Sequence, residues 1–217
     1  MYAMVSAKDL DGIFAHSFGA ALIANGFVQA DHRKWVRSQK LPIRDVFCLT
    51  AMKGASYAPC WGFSLDFVPH LSGSSIRWHG TVKAAMCDLC YDPIDYTNNV
   101  EEWTVSGLFG RDAAKSRAEH LARKSLKLAL PWFASVNEIQ DLRRQFELAK
   151  ERSESAVRFG FYNYLQHPLA YAFVLAQVGQ LSKAEAELKK YSKFDELTDT
   201  DRNKLLRLLK EQGQGEK

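Results

Sequence analysis

Four cysteines are the residues whose chemistry must be weighed first: Cys48, Cys60, Cys87 and Cys90, the last two within Cys87-Asp88-Leu89-Cys90. The C-x-x-C spacing is shared by disulfide oxidoreductases and zinc sites. A redox pair places its first cysteine at a helix N-terminus, where the dipole favours the thiolate. Here the surrounding run predicts a strand over residues 86–91, and residues three apart on a strand point to opposite faces. Zinc would need further ligands from among Cys48, Cys60, His70 and His79, and no second paired motif supplies them. All four cysteines fall within or beside apolar strand-like runs, which favours four small buried thiols with no metal and no cofactor.

Other chemistry is sparser. No G-x-S-x-G elbow and no Walker or dinucleotide glycine pattern occurs, so no enzyme class is nominated and no catalytic residue is assigned. His16, His32, His120 and His167 are explained more simply by capping or solvation than by catalysis. Asp88, Asp92 and Asp95 gather at one strand end and could meet a cation, but a turn with Asx caps accounts for them equally well. The most suggestive surface is Arg117, His120, Arg123, Lys124 and Lys127, which fall within about a third of a helix circumference. An amphipathic helix is expected to carry charge on its outer side, and that alone accounts for the cluster. Beyond it, the cluster suits an acidic protein partner better than nucleic acid, because no aromatic platforms interleave with the charge. A rival site, for a small molecule, is the sheet face near Trp35, Arg37, Trp78 and His79.

The elements that must position these residues are legible in the hydrophobic periods. Ile13, Phe14, Phe18, Ala21 and Leu22 predict a helix over residues 9–25, stopped by Asn25-Gly26. Short strands are predicted at 27–30 and 35–38, then a central strand at 46–50 that is apolar on both faces. Residues 61–67 alternate, with Trp61, Phe63, Leu65 and Phe67 on a dry face and Gly62, Ser64 and Asp66 on a wet one. A turn at 70–75, an outer strand at 76–79 and an edge strand at 100–105 follow. From Arg111 the period becomes helical, with Ala114, Ala118, Leu121, Ala122, Leu128 and Ala129 in one stripe and Pro131 ending the helix. Asn137 marks the start of the next helix, which carries Ile139, Leu142 and Phe146. Helices are then predicted at 156–166, 168–178, 182–194 and 198–212, the last two opened by Ser182-Lys183-Ala184-Glu185 and Thr198-Asp199-Thr200-Asp201.

Together these predict an α+β fold: an antiparallel sheet with an N-terminal helix packed on one face, then an all-helical C-terminal portion. The expected division is a helix-plus-sheet part over 1–110, a helical part over 111–212 that packs on the sheet or stands beside it, and a disordered tail over 213–217.

Two resemblances attach to particular residues. The order helix, Gly26-Phe27, basic turn, Trp35-Val36-Arg37, apolar strand and Phe63-Ser64-Leu65-Asp66-Phe67 resembles the domain-of-unknown-function family 4304, as do Trp103 and Leu130-Pro131-Trp132-Phe133. The resemblance spans residues 9–145 and implies a sheet of this kind without implying an activity. Residues 169–188, with Gly179 between two runs rich in small residues, are similar to one tetratricopeptide hairpin.

Composition bounds the rest. With 217 residues, 47% hydrophobic and 12% aromatic, the chain can bury a core without staples. Its start lacks a basic region followed by an apolar one, and no stretch is apolar enough to span a bilayer, so a cytoplasmic protein with no membrane association is expected. The net charge is +4, with 9 Lys+Arg against 10 Asp+Glu in residues 1–110 and 20 against 15 in residues 111–217. That surplus helps an encounter with an acidic partner and falls short of a nucleic-acid footprint. The leading expectation is a non-enzymatic protein-interaction module. The alternative is a small-molecule-binding or hydrolytic enzyme with its pocket on the sheet.

Overall fold

The computed structural model describes residues 4–53, 55–72, 75–97, 99–155, 167–191 and 193–213. Its strands are β1 (Val28–Asp31), β2 (Lys34–Lys40), β3 (Ile43–Met52), β4 (Ser56–Leu65), β5 (Pro69–Ser72), β6 (Ser75–Trp78), β7 (Leu89–Tyr91) and β8 (Val105–Ser106). Its helices are α1 (Ala7–Phe14), α2 (Ala20–Ala24), α3 (Pro93–Thr97), α4 (Arg111–Ala134), α5 (Ile139–Ser155), α6 (His167–Gln177), α7 (Leu181–Leu188) and α8 (Asp199–Gly213). The fold is α+β, an antiparallel sheet with its N-terminal helix on one face and helices following. Two compact units emerge: Met1–Ser64 with Thr81–Ala134, and Leu65–Gly80 with Ser135–Lys217. The division expected at residue 110 therefore falls after Ala134, because α4 packs on α1 and β8 within the sheet unit. Among the described residues no helix is long and apolar enough to cross a membrane.

In the first unit, Ser6 caps α1 by accepting the Asp9 N–H at 3.1 Å. Leu10, Ile13, Phe14, Phe18 and Leu22 are buried, as the period predicts, and a π-helical turn at Ala15–Gly19 joins α1 to α2. Gly26 ends the run at φ +82°, a left-handed conformation that glycine adopts without Cβ strain. The sheet order is β1-β2-β3-β4-β7, with β8 also on β4.

One face of this sheet carries an aromatic row. Trp35 faces Phe47 across β2 and β3, Phe47 stacks on Trp61 at 6.0 Å, and Trp61 stacks on its ladder partner Tyr91 at 4.7 Å. Phe18 covers the row from above, 5.8 Å from Phe47, while Trp132 of α4 stacks on Phe63 at 4.4 Å. Such pairs contribute about 0.5–1.5 kcal/mol each beyond the area they bury.

The opposite face is not wet as the alternation of residues 61–67 implies. Gly62 and Ser64 are buried because residues 81–88 cross that face. Lys34 donates to the Lys83 and Ala85 carbonyls at 2.8 and 3.1 Å, and Ala85 packs on Val36 and Val46. Further along, the Met86 N–H reaches Ser64 Oγ at 3.2 Å and the Asp88 N–H reaches the Phe63 carbonyl at 2.8 Å. The small residues on this face make room for a covering segment.

Three element boundaries also differ from the expectation. The strand predicted at 86–91 is confined to Leu89–Tyr91, since residues 81–88 are held by the bonds just described. In place of an edge strand at 100–105 there is a 3-10 turn, Glu101–Trp103, before β8; Asn99 Oδ1 accepts the Glu102 N–H at 3.0 Å and coils the chain there. Finally, α4 continues through Pro131 to Ala134. The bond that Pro131 cannot make is to the carbonyl of Lys127, on the exposed side, while Trp132 and Phe133 pack on Phe63 and hold the last turn. Leu128 is 42% exposed rather than in the buried stripe, where Ser125 and Leu126 stand with Ala114, Ala118, Leu121, Ala122 and Ala129.

Among the described residues the second unit contains the β5–β6 hairpin and helices α5 to α8. Pro69 pairs with Trp78 and Ser72 with Ser75, so strand occupies much of the turn expected at 70–75. Helix α6 is central, with every residue from Leu169 to Ala176 buried among α5, α7 and α8. Gly179 at φ +75° turns the chain toward α7, which starts at Leu181 behind Gln180, ahead of the expected cap Ser182, and stops at Leu188. Tyr191 and Phe194 remain buried beyond its end. The box at Thr198 forms as predicted: its Oγ1 accepts the Asp201 N–H at 3.2 Å and donates to the Asp201 carboxylate at 2.7 Å. The helix expected at 156–166 lies outside the described residues, as does the tail after Gly213, which itself ends α8.

Candidate partner-binding groove

The basic side chains predicted on α4 divide into two kinds. Arg117 donates to the Thr104 carbonyl at 3.0 Å and to the Glu101 carbonyl at 2.6 Å. Lys124 pairs with the Glu102 carboxylate and sits 4.0 Å from the centre of the Trp103 ring. The Lys124 hydrogen bond holds the Glu102 carboxyl below its ordinary range. These two cations fasten the 3-10 turn to the helix. His120, Arg123 and Lys127 are exposed and lie on the same side of α4.

An open groove of about 520 Å³ meets α4 at Ala113 and Arg117 and is lined also by Glu101, Glu102, Thr104, Ser106 and Phe109. Phe109 is 66% exposed, and Val100 and Leu108 are each 49% exposed. Phe109 is held out by local bonding: Ser106 Oγ accepts the Leu108 N–H at 3.2 Å, closing a 3-10 turn at Gly107–Phe109, and Gly110 follows at φ +89°. The groove thus combines one exposed aromatic side chain with polar groups and Arg117, and the helix that bounds it carries three exposed basic residues further along. Of its lining residues, the sequence pointed to Arg117 and not to the others. The available signals were Asn99-Val100-Glu101-Glu102, a helix-start pattern read as strand, and Phe109 beside a glycine.

The residues of the rival sheet-face site are divided between the two units. Trp35 is fully buried in the aromatic row, and Arg37 is engaged by Asp45 at 2.7 Å, by the Asn25 carbonyl at 3.1 Å and by the Phe27 ring at 4.7 Å. Burial holds the Asp45 carboxyl above its ordinary range, against the pull of Arg37. Trp78 and His79 belong to the second unit, where Trp78 is exposed and His79 is buried. Within neither unit are the four brought together.

The remaining candidates are placed as follows. His70 and His79 meet edge to face at 6.5 Å, and His167 lies against Phe146 at 5.1 Å. His16 and His32 are exposed. Asp92 accepts the Ile94 N–H at 2.6 Å in an Asx turn and Asp88 is buried, while the Asp95 side chain is outside the described residues. Cys48 is on β3, Cys60 on β4 and Cys90 on β7; Cys87 precedes β7 rather than lying in it. Cys87 and Cys90 therefore do not face opposite ways: Cys90 pairs with Gly62 across the ladder, and the Cys87 sulfur lies over the same glycine.

Fold and groove define an α+β chain with a mostly polar groove against its cationic helix and an exposed phenylalanine in the lining. In comparisons with family models, curated proteins and solved structures, the chain matches none.

Proposed function

We propose that this chain is a protein-interaction module without catalytic chemistry of its own, which receives an acidic segment bearing apolar side chains. The observation that carries the reading is the exposed Phe109 at a groove that Arg117 also lines, on the same helix that carries the exposed His120, Arg123 and Lys127. Large exposed apolar side chains rimmed by polar groups mark interaction sites, and aromatic anchors dominate binding energy. The apolar part of the segment seats against Phe109, and its carboxylates meet His120, Arg123 and Lys127, which span about 10 Å along α4. Burial of Leu169 to Ala176 inside the second unit supports reading the tetratricopeptide-like α6–α7 hairpin as a packing element rather than a docking surface.

Selection of random displayed peptides on the immobilised chain tests this. Acidic sequences with aromatic or aliphatic residues should be enriched. An enriched peptide should bind at least about tenfold more weakly to Phe109→Ala and to the triple variant His120→Gln, Arg123→Gln, Lys127→Gln, with thermal unfolding changed little because all four side chains are exposed. Enriched peptides that bind wild type and both variants equally would overturn the proposal.

A further inference from the structure

The strongest cluster outside the groove is the set of four cysteines. Cys48 and Cys60 bring their sulfurs to 2.8 Å, and Thr50 Oγ1 lies 3.2 Å from Cys60 Sγ. Cys90 faces Gly62 across the β4–β7 ladder, two residues along from Cys60. Cys87 hangs over the same glycine: a Cβ at Gly62 would lie 2.9 Å from its sulfur. Cys87 and Cys90 thus approach Gly62 from the side that Cys60 shares, so the four cysteines ring this part of β4. All four are free, with Cys60 buried and the others half-buried.

We propose that this ring is a redox modification site, at which a hydroperoxide converts the Cys48 and Cys60 thiols to a disulfide by way of Cys87. The Cys87 thiolate takes the outer peroxide oxygen, forming a sulfenic acid and releasing hydroxide, or alkoxide from an organic peroxide. The Cys48 thiol attacks that sulfur; the S–O bond breaks, and the hydroxyl leaves with the thiol proton as water. Cys60 then attacks the Cys48 sulfur. The new S–S bond joins Cys48 to Cys60, the electron pair of the broken bond returns to Cys87 as thiolate, and the Cys60 proton neutralises the hydroxide. In sum, two thiols lose two electrons and one peroxide becomes two waters.

The site is built for these roles. Hydrogen bonds from Cys48 and then Cys90 outweigh burial and the nearby Cys60 and Asp88, lowering the Cys87 thiol to about 6. The others are pushed well above the ordinary range, Cys60 first by Cys48 and Cys90 first by Cys60. For Cys48 the bond from Cys60 favours thiolate, but the contact with Cys87 and burial prevail. One nucleophile therefore stands among three protonated partners. Cys48, Cys87 and Cys90 each keep partial exposure, while Cys60 is buried. Zinc held by four thiolates, with bonds of about 2.3 Å, keeps its sulfurs about 3.8 Å apart. The Cys48–Cys60 contact of 2.8 Å is well inside that spacing, and among the described residues no His, Cys, Asp or Glu group is disposed to hold a metal ion.

The test is titration of the reduced full chain with hydrogen peroxide, followed by denaturation and alkylation. The first equivalent should remove two of the four alkylatable thiols, with Cys48 joined to Cys60 in the peptide map. Cys60→Ser should stop at a Cys48–Cys87 bond, and Cys87→Ser should slow oxidation at least about tenfold. Oxidation no faster than that of free cysteine, loss of thiols to sulfinic acid without a disulfide, or stoichiometric zinc in the purified chain would each overturn the proposal. The wild-type titration decides the matter even if a variant fails to fold.

Discussion

Gly62 shows how one residue governs a whole face. A Cβ there would stand 2.2 Å from the Leu89 carbonyl oxygen and 2.9 Å from the Cys87 sulfur, so the β4–β7 ladder and the covering segment both close over an absent side chain. Gly62→Ala should therefore destabilise the protein by about 2–4 kcal/mol, read as a lower denaturation midpoint with little change in slope. A loss under about 0.5 kcal/mol would mean that the covering segment does not rest on this strand. The basic residues of α4 make the complementary point. Helical spacing put five on one side, but the partner of each decides its role: Arg117 and Lys124 hold the 3-10 turn, and His120, Arg123 and Lys127 face solvent.

At the scale of elements, β4 and α4 carry most of the first unit. The β4 side chains Trp61 and Phe63 take part in the aromatic packing, and Leu65 at its end is fully buried. Leu65→Ala should cost about 2–5 kcal/mol in denaturant titration, through lost contacts and the cavity left behind. A cost below about 1 kcal/mol would show that the site collapses around the smaller side chain or that Leu65 is less enclosed than described. Helix α4 contributes both an apolar stripe and a charged side, with six Lys and Arg against two Asp and Glu over its length.

At the scale of the whole molecule, the surplus of +4 lies in residues 111–217. Association with an acidic peptide selected as above should weaken severalfold between about 0.02 and 0.15 M salt, as the Debye length falls toward 8 Å. Affinity independent of salt would leave Phe109 as the sole determinant. The α+β class, the strand runs about β1 to β4, the helix start at Thr198 and the glycine stops at Gly26 and Gly179 were determined by the sequence, because capping, hydrophobic period and left-handed φ are local physics. Tertiary structure alone decided the rest. Whether Gly62 and Ser64 face water depended on where residues 81–88 came to lie, and whether four cysteines were isolated thiols or a ring depended on strands β3, β4 and β7 meeting under that segment. Likewise Trp35, a plausible ligand contact by type, became core once helices covered its face. Long-range packing sets burial and neighbours, and a residue's chemistry follows from both.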